Sequence, residues 1–449
     1  MEVETVVTLV HLSDIHFKPR DDQAQLDLDQ HIRRTLIEDL ESKPAESDYD
    51  GILITGDIAY AGKIDEYKAA QDWLDKLFSK TGMSRSDTYM VPGNHDVDRD
   101  YVDPSFPLWD SHARLREKQS PVDWRDVIAK QLKQDPLHSL LAPLGGYNDF
   151  AQGYDCRTKP DQLAWHRVFP KSLDDELNIR LHGLNSALIS DSGDAPGKLL
   201  VSEFQTAHFE RSVNTIDIAL CHHPPEWLMD KFSLGDALHA FTPIALFGHE
   251  HNTRIVPEPK HIQLFAGAVQ PSRRDPENWL PTYHILQLSP CDREPQSQLK
   301  VRIYTREFNK HLYRFQPRRN EDEEKFEEHR LRIPIRPRKP VVTLAADHVS
   351  AGDNESSDQP IVEAAMSTKV ETAKRELLVH FFRLKTPDRY AAANEAGLLR
   401  DGDDSLQPQT MWAEVFKRAT DEAEGLVKFW NAVASRDNEI RELPNPFKE

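Results

Sequence analysis

The chain has 449 residues, more than one domain usually holds, and a formal net charge of −19 with 29% charged residues. So acidic a chain is a poor general binder of nucleic acid or anionic membrane, and no run approaches the roughly 18 apolar residues of a membrane-spanning helix. Cys156, Cys221 and Cys291 form no CxxC pair, and the acidic start at Glu2 and Glu4 leads straight into a strand pattern; together these speak against a disulfide framework and a secretion signal and for a reducing, cytoplasmic setting.

The first ninety residues alternate short apolar strands with amphipathic helices. Strands are predicted over Thr5 to Leu12, Gly51 to Thr55 and Thr88 to Val91. Between them, helices are predicted over Gln23 to Glu41 and Ile64 to Lys80, the second with Tyr67, Trp73, Leu74 and Leu77 on one stripe. This is a βαβ pattern, with a sheet covered by helices. The stretch 98–170 is rich in Trp, Pro and charge and breaks the alternation, so it reads as an insertion over one end of the sheet. Strands resume at Ile179 to Leu184, Thr215 to Cys221, Ile244 to Phe247, Ile262 to Ala266, Tyr283 to Leu288 and Leu299 to Tyr304. The later ones lie close together without helices between them, which suggests a second, more antiparallel sheet.

Residues 318–360 become charged, then basic and proline-rich, then polar, and read as a charged extension and linker after a domain spanning 1–317. Residues 361–449 read as a small helical module. Val370 to Leu384 carries Leu377, Leu378, Phe381, Phe382 and Leu384 at helical spacing. Met411 to Arg418 and Glu424 to Val433 add two amphipathic pieces with Trp412, Val415, Phe416, Leu426, Phe429 and Trp430.

Five short motifs each follow a predicted strand: Asp14-Ile15-His16, Gly56-Asp57, Gly93-Asn94-His95-Asp96, His222-His223-Pro224 and Gly248-His249-Glu250-His251. Strand ends meet at one edge of an α/β sheet, where such folds build their sites. Singly, each motif has an ordinary explanation: Asn and Asp favour turns, and a Gly-His pair can sit in any loop. Five at strand ends in one chain are much harder to explain that way. Carboxylate, imidazole and amide oxygen together suit divalent Mn, Fe or Zn.

This order of motifs resembles the calcineurin-like metallophosphoesterase superfamily over roughly Val6 to Thr253. The resemblance implies an α/β sandwich of two packed sheets flanked by helices, here with a small C-terminal all-α module. It also implies a centre of two divalent ions, manganese first and iron or zinc as alternatives. Asp14, His16 and His251 would hold one ion, and Asn94, His222 and His249 the other, with Asp57 bridging them. His95 would stand beside the substrate phosphate as general acid or charge stabiliser, and Asp96 would orient it. A hydroxide shared by the two ions would attack phosphorus. The family's His-x-Pro pattern selects His222, so His223 is expected outside the ligand set. His11 is expected to pack in or near its strand and Glu250 to point away.

His11 to Phe17 and Gly56 to Tyr67 look most like bacterial cyclic-nucleotide phosphodiesterases. A nucleotide-type phosphodiester is therefore the expected substrate, with a nuclease of the same superfamily, or a non-catalytic scaffold, as the alternatives. The continuation Ile58-Ala59-Tyr60-Ala61-Gly62 lacks the pattern of the protein phosphatases. In the tail, Asn394 to Leu398, Trp412 and Ala423 to Val427 are loosely similar to bacterial effector-associated adaptor domains. That similarity implies a protein partner for 361–449 and a role in bacterial defence or signalling.

Overall fold

The structure is a computed structural model. It describes the chain apart from residues 1–4, 20–27, 118–120, 135–139, 174–176, 211, 213, 271–279, 294–295 and 334–372. Also outside it are 375–376, 378–379, 382–383, 385, 401–402, 404–407, 422–423, 438–439, 442 and 449. Two compact units result, Met1–Pro340 and Val341–Glu449. Among the described residues, no helix is long and apolar enough to cross a membrane.

Two sheets form the first unit. The seven-stranded sheet contains β1 (Val7–Leu12), β2 (Gly51–Ile54), β3 (Thr88–Met90), β10 (Thr282–Arg293), β11 (Gln296–Asn309), β12 (Arg314–Pro317) and β13 (Glu327–Arg332). β1, β2 and β3 run parallel, and β10 joins β1 antiparallel. Every residue of β1 and β2 is buried, as expected of strands covered on both faces. One cover is made by helices α1 (Leu28–Glu41) and α2 (Ile64–Thr81), through Ile32, Leu36 and Leu40 and through Tyr67, Trp73, Leu74 and Leu77. Glu66 closes the start of α2 by accepting from the Lys63 and Ala61 backbone N–H groups, at 3.0 and 2.9 Å.

The six-stranded sheet is ordered β4 (Trp165–Val168), β5 (Asn178–Leu184), β6 (Thr215–Cys221), β7 (Ile244–Phe247), β9 (Ile262–Phe265), β8 (Arg254–Pro257). Its central strands β5, β6, β7 and β9 are parallel. Leu181, Ile218, Leu220, Leu246 and Leu264 share one apolar core with Leu9, Leu12, Ile54 and Ile285 of the first sheet, so the two sheets pack face to face. On the far side, Ala219, Ala245 and Phe247 pack with Leu115 of α4 (Phe106–Glu117), Trp124 and Ile128 of α5 (Pro121–Gln134) and Leu234 of α8 (Lys231–Phe241). The short helices α3 (Arg99–Val102), α6 (Gly145–Ala151) and α7 (Glu203–Thr206) complete this unit.

Three expectations are corrected. The strands at Tyr283 and Leu299 do not build the second sheet; they extend the first by pairing with β1, while the second sheet is mainly parallel. The stretch 98–170 is not one insertion, because Tyr147 and Tyr154 enter the central core and β4 is an edge strand of the second sheet. Residues 318–333 are not linker: β13 pairs with β11, and Leu331 and Ile333 are buried. The polar composition of Glu327–Arg332 hides this strand, whose charges face one another across it, as Arg302 does Glu328 at 2.9 Å. The rest of the expected linker, 334–360, lies outside the described residues.

In the second unit, α9 (Thr386–Glu395), α10 (Pro408–Asp421) and α11 (Gly425–Ala434) pack around Leu377, Phe381, Trp412, Val415, Phe429 and Trp430. Leu378 and Phe382 lie outside the described residues, as does most of Val370 to Leu384. Arg418 grips Asp403 with two nitrogens, at 2.5 and 2.9 Å, and donates to the Leu398 carbonyl at 2.9 Å.

Candidate metal centre

Parallel pairing brings the ends of β1, β2 and β3 to one edge, which sets Asp14, Asp57 and Asn94 side by side. β6 and β7, also parallel, end at the facing edge with His222, His249 and His251. The two edges are tied by hydrogen bonds from His222 Nδ1 to the Thr55 carbonyl, 2.7 Å, and from the His249 N–H to Asp14 Oδ2, 3.2 Å. Asp14, His16, Asp57, His249 and His251 all adopt positive φ, between 52° and 69°. Such a conformation costs a residue with a Cβ on the order of 1–2 kcal/mol, and the motif residues hold it together. Two glycines make room. A Cβ on Gly93 would lie 2.1 Å from Asp57 Oδ1, and one on Gly56, at φ 89°, would lie 2.6 Å from His222 Nδ1.

The side chains gather into overlapping groups whose donor atoms lie within 4.8 Å of one another: Asp14, His16 and His251; His222, His223 and His249; Asp14, Asp57 and His222; His16, Asp57 and His95. Asp57 is the pivot. Its Oδ2 lies 3.3 Å from both His16 Nε2 and His222 Nε2, and its Oδ1 accepts the His95 backbone N–H at 2.8 Å. His251 Nε2 is 3.0 Å from Asp14 Oδ1, while Ser13 Oγ donates to Asp14 Oδ2 at 2.5 Å. Asn94 Oδ1 lies 3.1 Å from His222 Nε2 and 3.0 Å from His249 Nδ1.

Burial pushes the Asp14 and Asp57 carboxyls up. The histidines opposite them, His251 and His222 respectively, outweigh this and hold both below the usual carboxylate range. Burial pushes His222 down, yet Asp57 and Asp14 bring it to about 9, while burial and His222 depress His249 to about 3. Buried carboxylates therefore face imidazoles across gaps that call for positive charge. His222 Nδ1 is committed to a carbonyl, so its Nε2 and Asn94 Oδ1 are two acceptors 3.1 Å apart unless a proton or a cation lies between them. Hard oxygens and borderline nitrogens in this mixture fit Mn, Fe or Zn.

The remaining motif residues sort by their contacts. His95 stands at the mouth, its ring 4.6 Å from that of His16, and its Nδ1 bonds the Tyr60 carbonyl at 2.7 Å. Asp96 does not hold the His95 ring, contrary to expectation. It is buried and accepts from the N–H groups of Ile58, Ala59 and Gly93 and from the Tyr67 hydroxyl, at 2.9–3.2 Å. It fixes the backbone of two motifs, and Tyr60 does the orienting. His11 packs in its strand against Thr55 and His284, and Glu250 turns to Arg254. His223 is buried and lies within the cluster, although it was expected outside it. The sequence assigns no role to Ser13, Thr55 or Tyr60; their one signal is position, next to a motif or at its strand.

Residues 7–253 match the family model described as calcineurin-like phosphoesterase. The metallophosphoesterase-like protein YydB of Bacillus subtilis is 24% identical over 278 residues, which cover 59% of this chain and 53% of that protein. The chain thus spans about half the length of this curated relative. Similar solved structures include a purple acid phosphatase from yellow lupin, Lupinus luteus, at TM-score 0.40 and 14% identity, covering 74% of this chain and 54% of that one. Another is a putative 5'-nucleotidase from Staphylococcus aureus, at TM-score 0.36 and 12% identity, covering 74% and 55%.

Proposed function

The chain belongs to the calcineurin-like phosphoesterase family, and from that premise we propose that it is a phosphodiesterase acting on nucleotide-type phosphodiesters with two divalent ions, manganese first among them. The observation that carries this is the sharing of Asp57. One of its oxygens lies 3.3 Å from a histidine of each proposed ion position, His16 of the first and His222 of the second. Asp14, His16 and His251 would hold one ion, and Asn94, His222 and His249 the other. Ions bound there would supply Lewis acidity to the phosphoryl oxygens and lower the pKa of water towards neutrality.

The protein's own residues do the rest. The hydrogen bonds from His222 to the Thr55 carbonyl and from the His249 N–H to Asp14 fix the two sides of the site against one another, and the His95 N–H holds Asp57 within its own side. His95 Nδ1 is committed to the Tyr60 carbonyl, so the proton it delivers to a leaving oxygen must come from Nε2. Asp96 keeps the 57–60 and 93–96 turns in register. The nucleotide preference rests on the resemblance of the His11 to Phe17 and Gly56 to Tyr67 segments. The second unit, with its own core, would be an interaction module that brings the enzyme to a protein partner in a defence or signalling system.

The test is a panel after manganese reconstitution: an aryl phosphodiester, an aryl phosphomonoester, cyclic nucleotides, and single- and double-stranded DNA and RNA. Preference for the diester and a cyclic nucleotide is expected. Preference for polynucleotides would move the reading to a nuclease, and no turnover with both ions bound would move it to a scaffold.

A further inference from the structure

We infer that His223 is an additional nitrogen ligand of the second ion position, so that this position joins three imidazoles with Asn94 and Asp57. The inference rests on the metal reading above but goes beyond its ligand set. The sequence singles out His222 because the family's His-x-Pro pattern selects the histidine two places before Pro224. Here β6 ends at Cys221, and the chain turns at once into a short helical turn at Pro225–Trp227. The two rings therefore converge, with centroids 4.6 Å apart.

Asn94 Oδ1 is consequently surrounded by three ring nitrogens: His222 Nε2 at 3.1 Å, His223 Nε2 at 3.2 Å and His249 Nδ1 at 3.0 Å. An amide oxygen has two lone pairs and cannot satisfy three such partners well as hydrogen bonds. Donor atoms of His222, His223 and His249 also lie within 4.8 Å of one another, as atoms around one ion would.

The far side of each neighbouring ring gives a second, independent indication. His222 Nδ1 is tied to the Thr55 carbonyl at 2.7 Å. His223 Nδ1 is tied to Ser186 Oγ at 2.9 Å, and the same hydroxyl accepts the His223 backbone N–H at 3.1 Å. Ligating histidines are commonly anchored in this way through the nitrogen that does not meet the metal, which sets both tautomer and ring direction. Burial alone asks an imidazole for a partner; here that partner sits on Nδ1, which leaves Nε2 as the nitrogen facing Asn94. His223 is fully buried, so solvent does not explain where its Nε2 points.

The consequence is an asymmetric centre. The first position offers carboxylates of Asp14 and Asp57 with two imidazoles, and the second a nitrogen-rich set. Nitrogen-rich sets favour zinc, cobalt or iron over magnesium and calcium. The second position should therefore hold zinc against a large excess of magnesium, while the first exchanges.

The test combines a crystal structure of the zinc-loaded full chain, with anomalous maps at the zinc edge, and zinc calorimetry on the full chain and on His223→Gln. We expect His223 Nε2 at about 2.0–2.1 Å from one zinc. We also expect a loss of about tenfold or more in affinity at one of two sites in His223→Gln, with the other unchanged. A zinc held by Asn94, His222 and His249 with His223 Nε2 beyond about 3 Å would overturn the inference and leave the metal reading intact. So would unchanged affinity in a folded His223→Gln. No zinc at either position would overturn both.

Discussion

The two units differ in how much backbone strain and buried charge they gather in one place. Of the twelve described non-glycine residues with positive φ, five lie in the metal motifs of the first unit, and one, Glu424, lies in the second. The first unit buries Asp14 and Asp57 among imidazoles, whereas the second packs an apolar core of Leu377, Phe381, Val415 and Phe429 and buries Asp403 in a bidentate pair with Arg418. The described helices of the second unit need little strain, and their apolar core is joined by one charged pair. The first unit gathers five positive-φ residues where its strand ends meet, while its other six, at Lys43, Glu46, Asp155, Ser202, Tyr313 and Glu323, are scattered; a cluster of departures at one place marks function more than stability.

The sharpest way to break this contrast is Asp57→Asn. On the proposed two-ion reading it removes the charge that both ion positions would share, so turnover of an aryl phosphodiester should fall by roughly 10³-fold or more, with metal content falling in parallel. A fully active variant would mean that the strained centre is not the catalyst. The opposite probe is Phe429→Ala, fully buried in the second unit. It should cost that unit about 3–5 kcal/mol by chemical denaturation and leave turnover of the small ester unchanged. A matching loss of activity would show that the chemistry depends on the second unit.

His95→Ala should keep metal content and lose about 10² in turnover, less for a nitrophenyl leaving group than for a poor one. Equal losses on both would argue against the acid role. The smallest effect concerns pH. Burial would raise the Asp191 carboxyl, but His112 and Arg116, 2.8 Å away, outweigh it and lower it to about 2. A depressed carboxylate adds stability above its free value of about 3.9 and loses it as pH falls towards the folded value. Asp191→Asn should therefore melt about 2 °C below the parent at neutral pH, and the gap should close between pH 4 and pH 2. A gap independent of pH would assign the effect to packing instead.

How far the sequence reaches follows the same division. The five motifs were readable because each needs particular residue types just after an apolar strand, and β1, β2, β6 and β7 are nearly unbroken apolar runs. Their grouping, by contrast, depends on pairing between distant segments. Nothing local in Thr282–Arg293 says that it pairs with β1 rather than with a second sheet. β13 escaped because only one residue in its six is buried, and β8 because it is four residues at an edge. The His-x-Pro pattern points to His222 alone, and a pattern of spacing cannot show a turn that brings two adjacent rings together. The motif pairs Asp96 with the His95 ring, whereas its four donors come from backbone and from Tyr67, none of which a motif displays.

The most direct measurement is a titration of metal-stripped full-length protein with manganese, following bound metal and turnover of an aryl phosphodiester together. The account predicts no turnover without metal and a rise that completes only as a second equivalent binds. Turnover in the stripped protein, or full turnover at one equivalent, would contradict it.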